Sequence, residues 1–394
     1  MKIAMISTIP AYPTVAGNCE RIRTLIAEIV AQGHELHFFF LPPFRAADFD
    51  LAAHEAVLGG GRAYRLEKRF EERVNDFVKF GIRDRFRQIK RTLHIGERHR
   101  KGIDDLYSSA FNRLLREHDA REHFDTVIVE YVFSSAAFGA FPEAGLKILD
   151  THDSFSDRHL RFSDGDYWFS TSEKEQVRAF QRANVVVAIQ DEEADLFRTQ
   201  LGFSQTSVRT VSHIMPTGGE VASYGSGHAT FLGSANPANI SAIGAFMAET
   251  LPRILAEVPD FKLHLAGSIS SAVPDHPSVL KLGRVEKVVD AFSLGPISIN
   301  PVGAGTGINI KLLDSMACGV PTVCTETGCR GMPARFLRGI VRVADNDPKA
   351  FADAVVGLSR SAETRAAIGK FAVADARVWN AEQSRALTQV LARG

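Results

Sequence analysis

Three glycines in five residues, Gly303, Gly305 and Gly307, lead into a stretch carrying Lys311 and, three positions on, Asp314. A loop of this kind turns sharply and points backbone N–H groups at an anion, and a helix following it adds the positive end of its dipole. The ammonium suits a phosphate charge and the carboxylate suits sugar hydroxyls. Thr306, Gly307 and Ile308 are placed to present the backbone N–H groups. The segment reads as a site for a nucleoside diphosphate. A solvated lysine and a partly exposed acid on an ordinary helix are the plain alternatives.

A second constellation is Asp150-Thr-His-Asp153, followed by Ser154, Ser156, Asp157 and Arg158. It stands at the exit of the expected strand Leu146–Asp150, and polar residues just past a strand line the ligand crevice of an open α/β sheet. Glu130-Tyr131 stands at an equivalent strand end. A carboxylate closing an apolar strand needs a partner, and Arg158 or Arg21 would serve. Asp153 would orient His152 or an acceptor hydroxyl. Plain ion pairing at a wall is the alternative for this group. Gly17 and Asn18 approach the diphosphate or the acceptor, or form a simple turn. Arg284 approaches the nucleotide or lies on the surface.

The elements that must position these residues alternate. KIAMIS (2–7) reads as a buried strand, Arg21 to Ala31 as a helix ended by Gly33, and Glu35–Leu41 as the next strand. Further strands are expected at Thr126–Val129, Leu146–Asp150, Val185–Ala188 and Val208–Ser212. A second series follows at Ala229–Leu232, Phe261–Ala266, Val279–Leu282, Pro296–Ile299, Val320–Cys324 and Gly339–Val343. Strands alternating with helices at this spacing predict mostly parallel sheets covered on both faces. The fold class is α/β, with two Rossmann-like domains facing across a cleft. The expected division is 1–212 for a first domain, 213–227 for a linker, 228–371 for a second domain carrying the Lys311 segment, and 372–394 for a helix packing back on the first domain.

Composition sets limits. The chain has 394 residues, 45% hydrophobic and 23% charged, enough for two ordinary domains. Zero formal net charge argues against a dedicated nucleic-acid binder. Cys19, Cys318, Cys324 and Cys329 form no CxxC pair, which suggests neither a zinc site nor a disulfide framework and fits a reducing compartment. Cys318 reads as a small buried residue. The N-terminus has too short an apolar run for a signal peptide, and no run is long enough to span a membrane.

Residues 61–104 break the alternation. They hold 14 Lys or Arg against 7 Asp or Glu, with Phe70, Val74, Phe77, Val78, Phe86 and Ile89 interleaved at helical spacing. They read as a basic helical insertion with solvated charges, or as a basic-aromatic surface for an anionic acceptor or an acidic membrane.

Four segments resemble the family 4 glycosyltransferases of GT-B fold. They are Ile9-Pro-Ala-Tyr-Pro13 with Gly17, Asn18, Arg21 and Ala31-Gln-Gly-His-Glu35; Val185–Glu193; Phe231-Leu-Gly-Ser234 with Asn236–Asn239 and Leu265-Ala-Gly267; and Gly305-Thr-Gly307 with Lys311, Asp314 and Ala317-Cys-Gly-Val-Pro321. The resemblance spans nearly the whole chain except 61–104. It implies transfer of a sugar from a nucleotide-diphosphate sugar to an acceptor hydroxyl, with retention and with no bound metal or other cofactor. It implies a bacterial enzyme of polysaccharide or glycolipid synthesis with a carbohydrate, glycolipid or other hydroxyl acceptor; the cysteines and the N-terminus suggest a cytoplasmic location, and the basic and aromatic residues of 61–104 suggest peripheral membrane contact.

Residue by residue, the resemblance places Lys311 on the diphosphate, Asp314 on the ribose, and Gly233 and Ser234 in the donor loop. It sets His152 near the donor sugar and reaction centre, beside Asp153. Glu130, Tyr131, Asp157 and Arg158 fall on the acceptor side. Two departures stand out. Thr306 occupies the position of the first of two acids that such enzymes space eight apart, and the Gly233–Asn239 loop lacks the family's second basic residue. Other readings are a nucleotide-sugar epimerase or hydrolase and a nonenzymatic binding protein. A nicotinamide dehydrogenase is disfavoured, because the first loop lacks GxGxxG spacing.

Overall fold

A computed structural model of the chain describes residues 1–42, 48–92, 101–161, 170–215, 219–303 and 308–392. Of the expected donor loop, Gly305, Thr306 and Gly307 lie outside the described residues. The chain divides into two compact units, residues 1–212 with 384–394, and residues 213–383.

The first unit is built on seven strands: β1 Lys2–Ser7, β2 Glu35–Phe40, β3 Ala63–Arg65, β4 Thr126–Glu130, β5 Leu146–Asp150, β6 Val185–Ala188 and β7 Ser207–Thr210. Their order is β3-β2-β1-β4-β5-β6-β7, and all pairs are parallel. Ile3 lies opposite Leu36 on one side and Thr126 on the other. Parallel strands covered on both faces need continuous apolar sequence. Ile3, Ala4, Met5 and Ile6 accordingly have no exposed surface. The helix Gly17–Ala31 begins one turn earlier than its apolar periodicity predicts, with Gly17 and Asn18 inside it and no side-chain cap from Ala16.

The second unit has β8 Ala229–Leu232, β9 Leu263–Ala266, β10 Val279–Gly283, β11 Ser298–Asn300, β12 Thr322–Thr325 and β13 Ile340–Val343. Their order, β10-β9-β8-β11-β12-β13, is that of a dinucleotide-binding sheet, again all parallel. Its core gathers Phe231, Phe246, Phe261 and Phe351. Burying each contributes about 2–3 kcal/mol.

Several expectations need revision. Residues 63–65 are an edge strand of the first sheet rather than part of a helical insertion. The helix of that segment runs from Phe70 to Thr92 and is tied down by Lys68–Asp76 at 2.7 Å and Glu72–Arg113 at 3.0 Å. Residues of the expected linker are bonded into the second unit. Val221 N–H donates to the Cys318 carbonyl (2.9 Å) and Tyr224 Oη to the Gly319 carbonyl (2.6 Å). The last helix runs from Ala362 to Leu391, ten residues longer at its start than the sequence suggests. Gly369 is needed there: a Cβ would stand 2.2 Å from the Gly319 carbonyl oxygen.

Candidate active site

The order of each sheet reverses at one point, and loops leaving the C-terminal strand ends there diverge to form a crevice. In the second unit the reversal lies between β8 and β11. The β8 loop holds Gly233 and Ser234 and leads into the helix Pro237–Ala245, which carries Asn239 in its first turn; the chain after β11 leads to Ile308 and the helix Ile310–Ala317. Lys311 extends from this helix to donate from Nζ to Asn239 Oδ1 at 2.7 Å, with the ammonium 4.4 Å from the centre of the Phe231 ring. Asn239 is fixed in turn, its Nδ2 donating to the Ser234 carbonyl (2.8 Å) and its N–H to Asn236 Oδ1 (2.8 Å). Enclosure by these groups pushes the Lys311 pKa down to about 7.

The helix Ile310–Ala317 has no side-chain cap from Asn309, and its N-terminus carries the positive end of the helix dipole, which favours an anion. Asp314 is buried one turn on, on the same face as Lys311. Arg284 is exposed after β10, an edge strand two places from β8.

Gly233 has a packing role beneath this seat. Its N–H bonds the Ala266 carbonyl at 2.9 Å, and its carbonyl lies so near Gly267 that a Cβ there would meet it at 2.3 Å. A Cβ on Gly233 would stand 2.9 Å from the Phe231 ring and 3.0 Å from Asn239 Nδ2. Gly233→Ala is therefore expected to displace Asn239, lowering stability by about 1–3 kcal/mol and weakening nucleotide binding. Urea unfolding and nucleotide titration of the variant check this; unchanged values for both would dismiss the packing argument.

In the first unit the reversal lies between β1 and β4. Glu130 ends β4 and Asp150 ends β5, side by side in register. His152 Nε2 lies 2.5 Å from Glu130 Oε2, and the Tyr131 ring stacks on the imidazole at 4.2 Å. Burial, then the charge of Asp150, raises the Glu130 pKa. Tyr131 also bonds Asn18, and burial raises its phenol. Tyr131 (φ 68°), His152 (φ 59°) and Asp157 (φ 52°) all adopt left-handed backbone. Such strain in side chains with a Cβ concentrates at functional sites.

The ion pairs differ from those expected. Glu130 takes His152, not an arginine. Arg21 instead grips Asp150 through Nε (3.1 Å) and Nη2 (2.9 Å) and donates to the Val211 carbonyl (2.9 Å). Arg158 pairs with Asp153 at 2.7 Å. Charge count alone offers no way to choose among these partners.

Sequence reasoning also missed the supports. Gln176 Oε1 accepts from the N–H groups of Phe155 (2.8 Å) and Ser156 (2.9 Å), and Glu193 accepts from Ser154 N–H (3.3 Å). Both come from helices that follow in sequence. The one available signal is that each stands in an otherwise apolar buried face. Glu130, Asp150 and His152 bring ligand atoms within 4.8 Å of one another, as do Glu35, His37 and Glu122. In the first group a guanidinium neutralises Asp150. In the second, Lys2 reaches Glu122 (2.9 Å) and Glu35 (3.6 Å).

Residues 227–361 match the family described as glycosyl transferases group 1. No curated protein matches the chain. Among solved structures, sucrose-phosphate synthase from Thermosynechococcus elongatus aligns over 100% of this chain and 98% of its own, with TM-score 0.68 and 14% identity. A mutant of S. aureus TarM, solved with fondaparinux, α-GlcNAc-glycerol and UDP, covers 99% of each chain at TM-score 0.63 and 10% identity. Anabaena HepE with UDP and glucose covers 99% of this chain and 100% of its own, at 0.58 and 13%. At such identities these likenesses establish the fold, which is GT-B. The family match falls within the second unit.

Proposed function

We propose that the chain transfers a glycosyl group from a nucleotide-diphosphate sugar to an acceptor hydroxyl. The observation that carries this reading is the seat of Lys311. An enclosed ammonium stands beside an uncapped helix N-terminus, at the reversal point of a dinucleotide-type sheet. Relatives solved with UDP share the fold.

Lys311 and the N–H groups of the 305–308 loop stabilise the diphosphate as its bond to the anomeric carbon breaks. Asp314 accepts from ribose hydroxyls, and Ile308, Gly233 and Ser234 shape the loop around the donor. His152, held by Glu130 and Tyr131, borders the sugar. Asp153, Asp157 and Arg158 belong to the acceptor side. In the retaining course, the new bond from the acceptor oxygen forms on the face the diphosphate leaves. The acceptor proton passes to the leaving phosphate oxygen, so no protein nucleophile is required. This course needs no resident metal.

The reading extends to location. The four cysteines are buried and unpaired, which fits a reducing cytoplasm. Among the described residues no helix is long and apolar enough to cross a membrane. Residues 61–104 provide peripheral contact with it, and a polysaccharide or glycolipid precursor is the acceptor class.

One experiment tests the assignment. Nucleoside diphosphates are screened for a rise in unfolding temperature; the matching nucleotide sugars are then assayed for diphosphate release with and without candidate acceptors. Acceptor-dependent release, insensitive to a chelator and giving a product of the donor's anomeric configuration, is the expected result. Release to water alone would make the chain a hydrolase. Isomerised donor without release would make it an epimerase. Binding without turnover would make it a nonenzymatic binding protein.

A further inference from the structure

The helix Phe70–Thr92 is mounted with its apolar side outward. Glu72 and Asp76, one turn apart, hold it to the rest of the first unit through Arg113 and Lys68. Asp76 is buried. Phe70, Val74, Phe77, Val78, Ile82 and Ile89 recur at helical spacing on the opposite side, and all are exposed, Phe70 by 78% and Phe77 by 73%. A surface helix ordinarily hides its apolar stripe and shows its charges. Here the arrangement is reversed, and a contiguous exposed apolar stripe marks a surface made to be covered.

Charge identifies what covers it. From Lys79 to Arg91 the helix carries six Lys or Arg against the single acid Asp84, in a chain of zero net charge. Arg69, Arg73 and Arg85 are exposed along it. A second copy of this chain would bring an equally basic helix against the first, and like charges would oppose that contact. An anionic bilayer supplies the opposite charge and an apolar layer together. An amphipathic helix with basic residues and Phe on its apolar face lies in the plane of the headgroups. At 23 residues this one extends about 34 Å along the surface.

We infer that the helix Phe70–Thr92 docks the protein on an anionic lipid surface, its Phe70–Ile82 stripe sunk below the headgroups. This rests on the peripheral contact proposed above and names its partner; it does not depend on the transfer chemistry. The bound protein is held by insertion of the stripe and by attraction to acidic headgroups. Its affinity accordingly falls both with loss of the aromatic rings and with added salt.

The test is flotation of the full chain with phosphatidylcholine vesicles and with vesicles also containing phosphatidylglycerol. The wild type is expected to float with the anionic vesicles and to stay in solution with the neutral ones. Phe70→Ser combined with Phe77→Ser lowers the bound fraction about tenfold or more. Arg85→Glu also lowers it at low salt. Both variants keep the unfolding temperature, because they alter the exposed face, and keep nucleoside diphosphate binding, which separates this test from that of the transferase reading. Failure of the wild type to float would overturn the inference, as would undiminished flotation of the serine variant. A wild-type dimer dissolved by the serine substitutions, with no vesicle binding, would assign the stripe to self-association instead.

Discussion

Lys311→Met is expected to lower the rate of glycosyl transfer by about two to three orders of magnitude, the usual effect of losing one preorganised donor to developing charge. Methionine keeps the length of the side chain and its contact with the Phe231 ring, so the fold should survive. Asn239 also keeps its bond to the Ser234 carbonyl. What disappears is the ammonium. Because the Gly233–Asn239 loop carries no basic residue, no neighbouring side chain in it replaces that charge.

The depressed Lys311 pKa gives the same prediction a pH signature. Burial disfavours the ammonium, which titrates near 7. A bound diphosphate favours the charged form. Binding above pH 7 therefore takes up a proton, and affinity falls by up to about tenfold per pH unit. Calorimetry in buffers of different ionisation enthalpy reads the proton directly, and Lys311→Met should abolish it. The nucleotide-free protein shows the opposite trend. Between about 7 and the ordinary 10.5 the unfolded chain holds the proton and the folded one does not, so this residue adds stability as pH rises through that window. A variant with wild-type turnover and no change in proton uptake would remove Lys311 from the mechanism.

The second large effect concerns stability. Arg21→Ala should cost about 3–5 kcal/mol, because it strands a buried carboxylate. The side chains of Arg21 and Asp150 are 3% and 2% exposed, and the guanidinium makes two contacts to the carboxylate and one to a backbone carbonyl. Removing it leaves Asp150 beside Glu130, which already resists ionisation. Arg21→Lys should recover little, since a single ammonium cannot reproduce the two-pronged geometry. Urea unfolding, with hydrogen exchange followed at the β1 and β5 amides, reports on the first unit. A loss below about 1 kcal/mol would mean that water replaces the guanidinium and that the pair matters little to stability.

Much of this architecture is legible in the sequence for a simple reason. Strands buried on both faces must be largely apolar, so β1 (Ile3–Ile6), β4 (Val127–Val129) and β6 (Val185–Ala188) stand out as short uninterrupted runs. β3 does not, because Ala63-Tyr-Arg65 offers one core residue at a sheet edge. The early start of the Gly17–Ala31 helix is hidden because its first turn bears no apolar residue of the periodic face until Cys19. At the candidate site, Lys311, Asp314 and His152 are visible because each follows a strand end. Their partners are not visible. Asn239 lies 72 residues from Lys311, and Glu130 lies 22 residues from His152. Pairing across such separations depends on strand order, and Glu130, Asp150 and Asp153 compete for Arg21, His152 and Arg158, which composition cannot allot.

The first unit is assembled from both extremes of the sequence: residues 384–394 belong to it, and Ser384 bonds Glu28 and Gln32 while Thr388 bonds Gln32. During synthesis the ribosome has released the other unit entire before this one can be completed. The nascent helix Gly17–Ala31 thus waits, with one flank unsatisfied, for the final segment to emerge. A cut at residue 212 would not yield a finished domain, whereas the uninterrupted stretch 213–383 can fold without awaiting anything translated later.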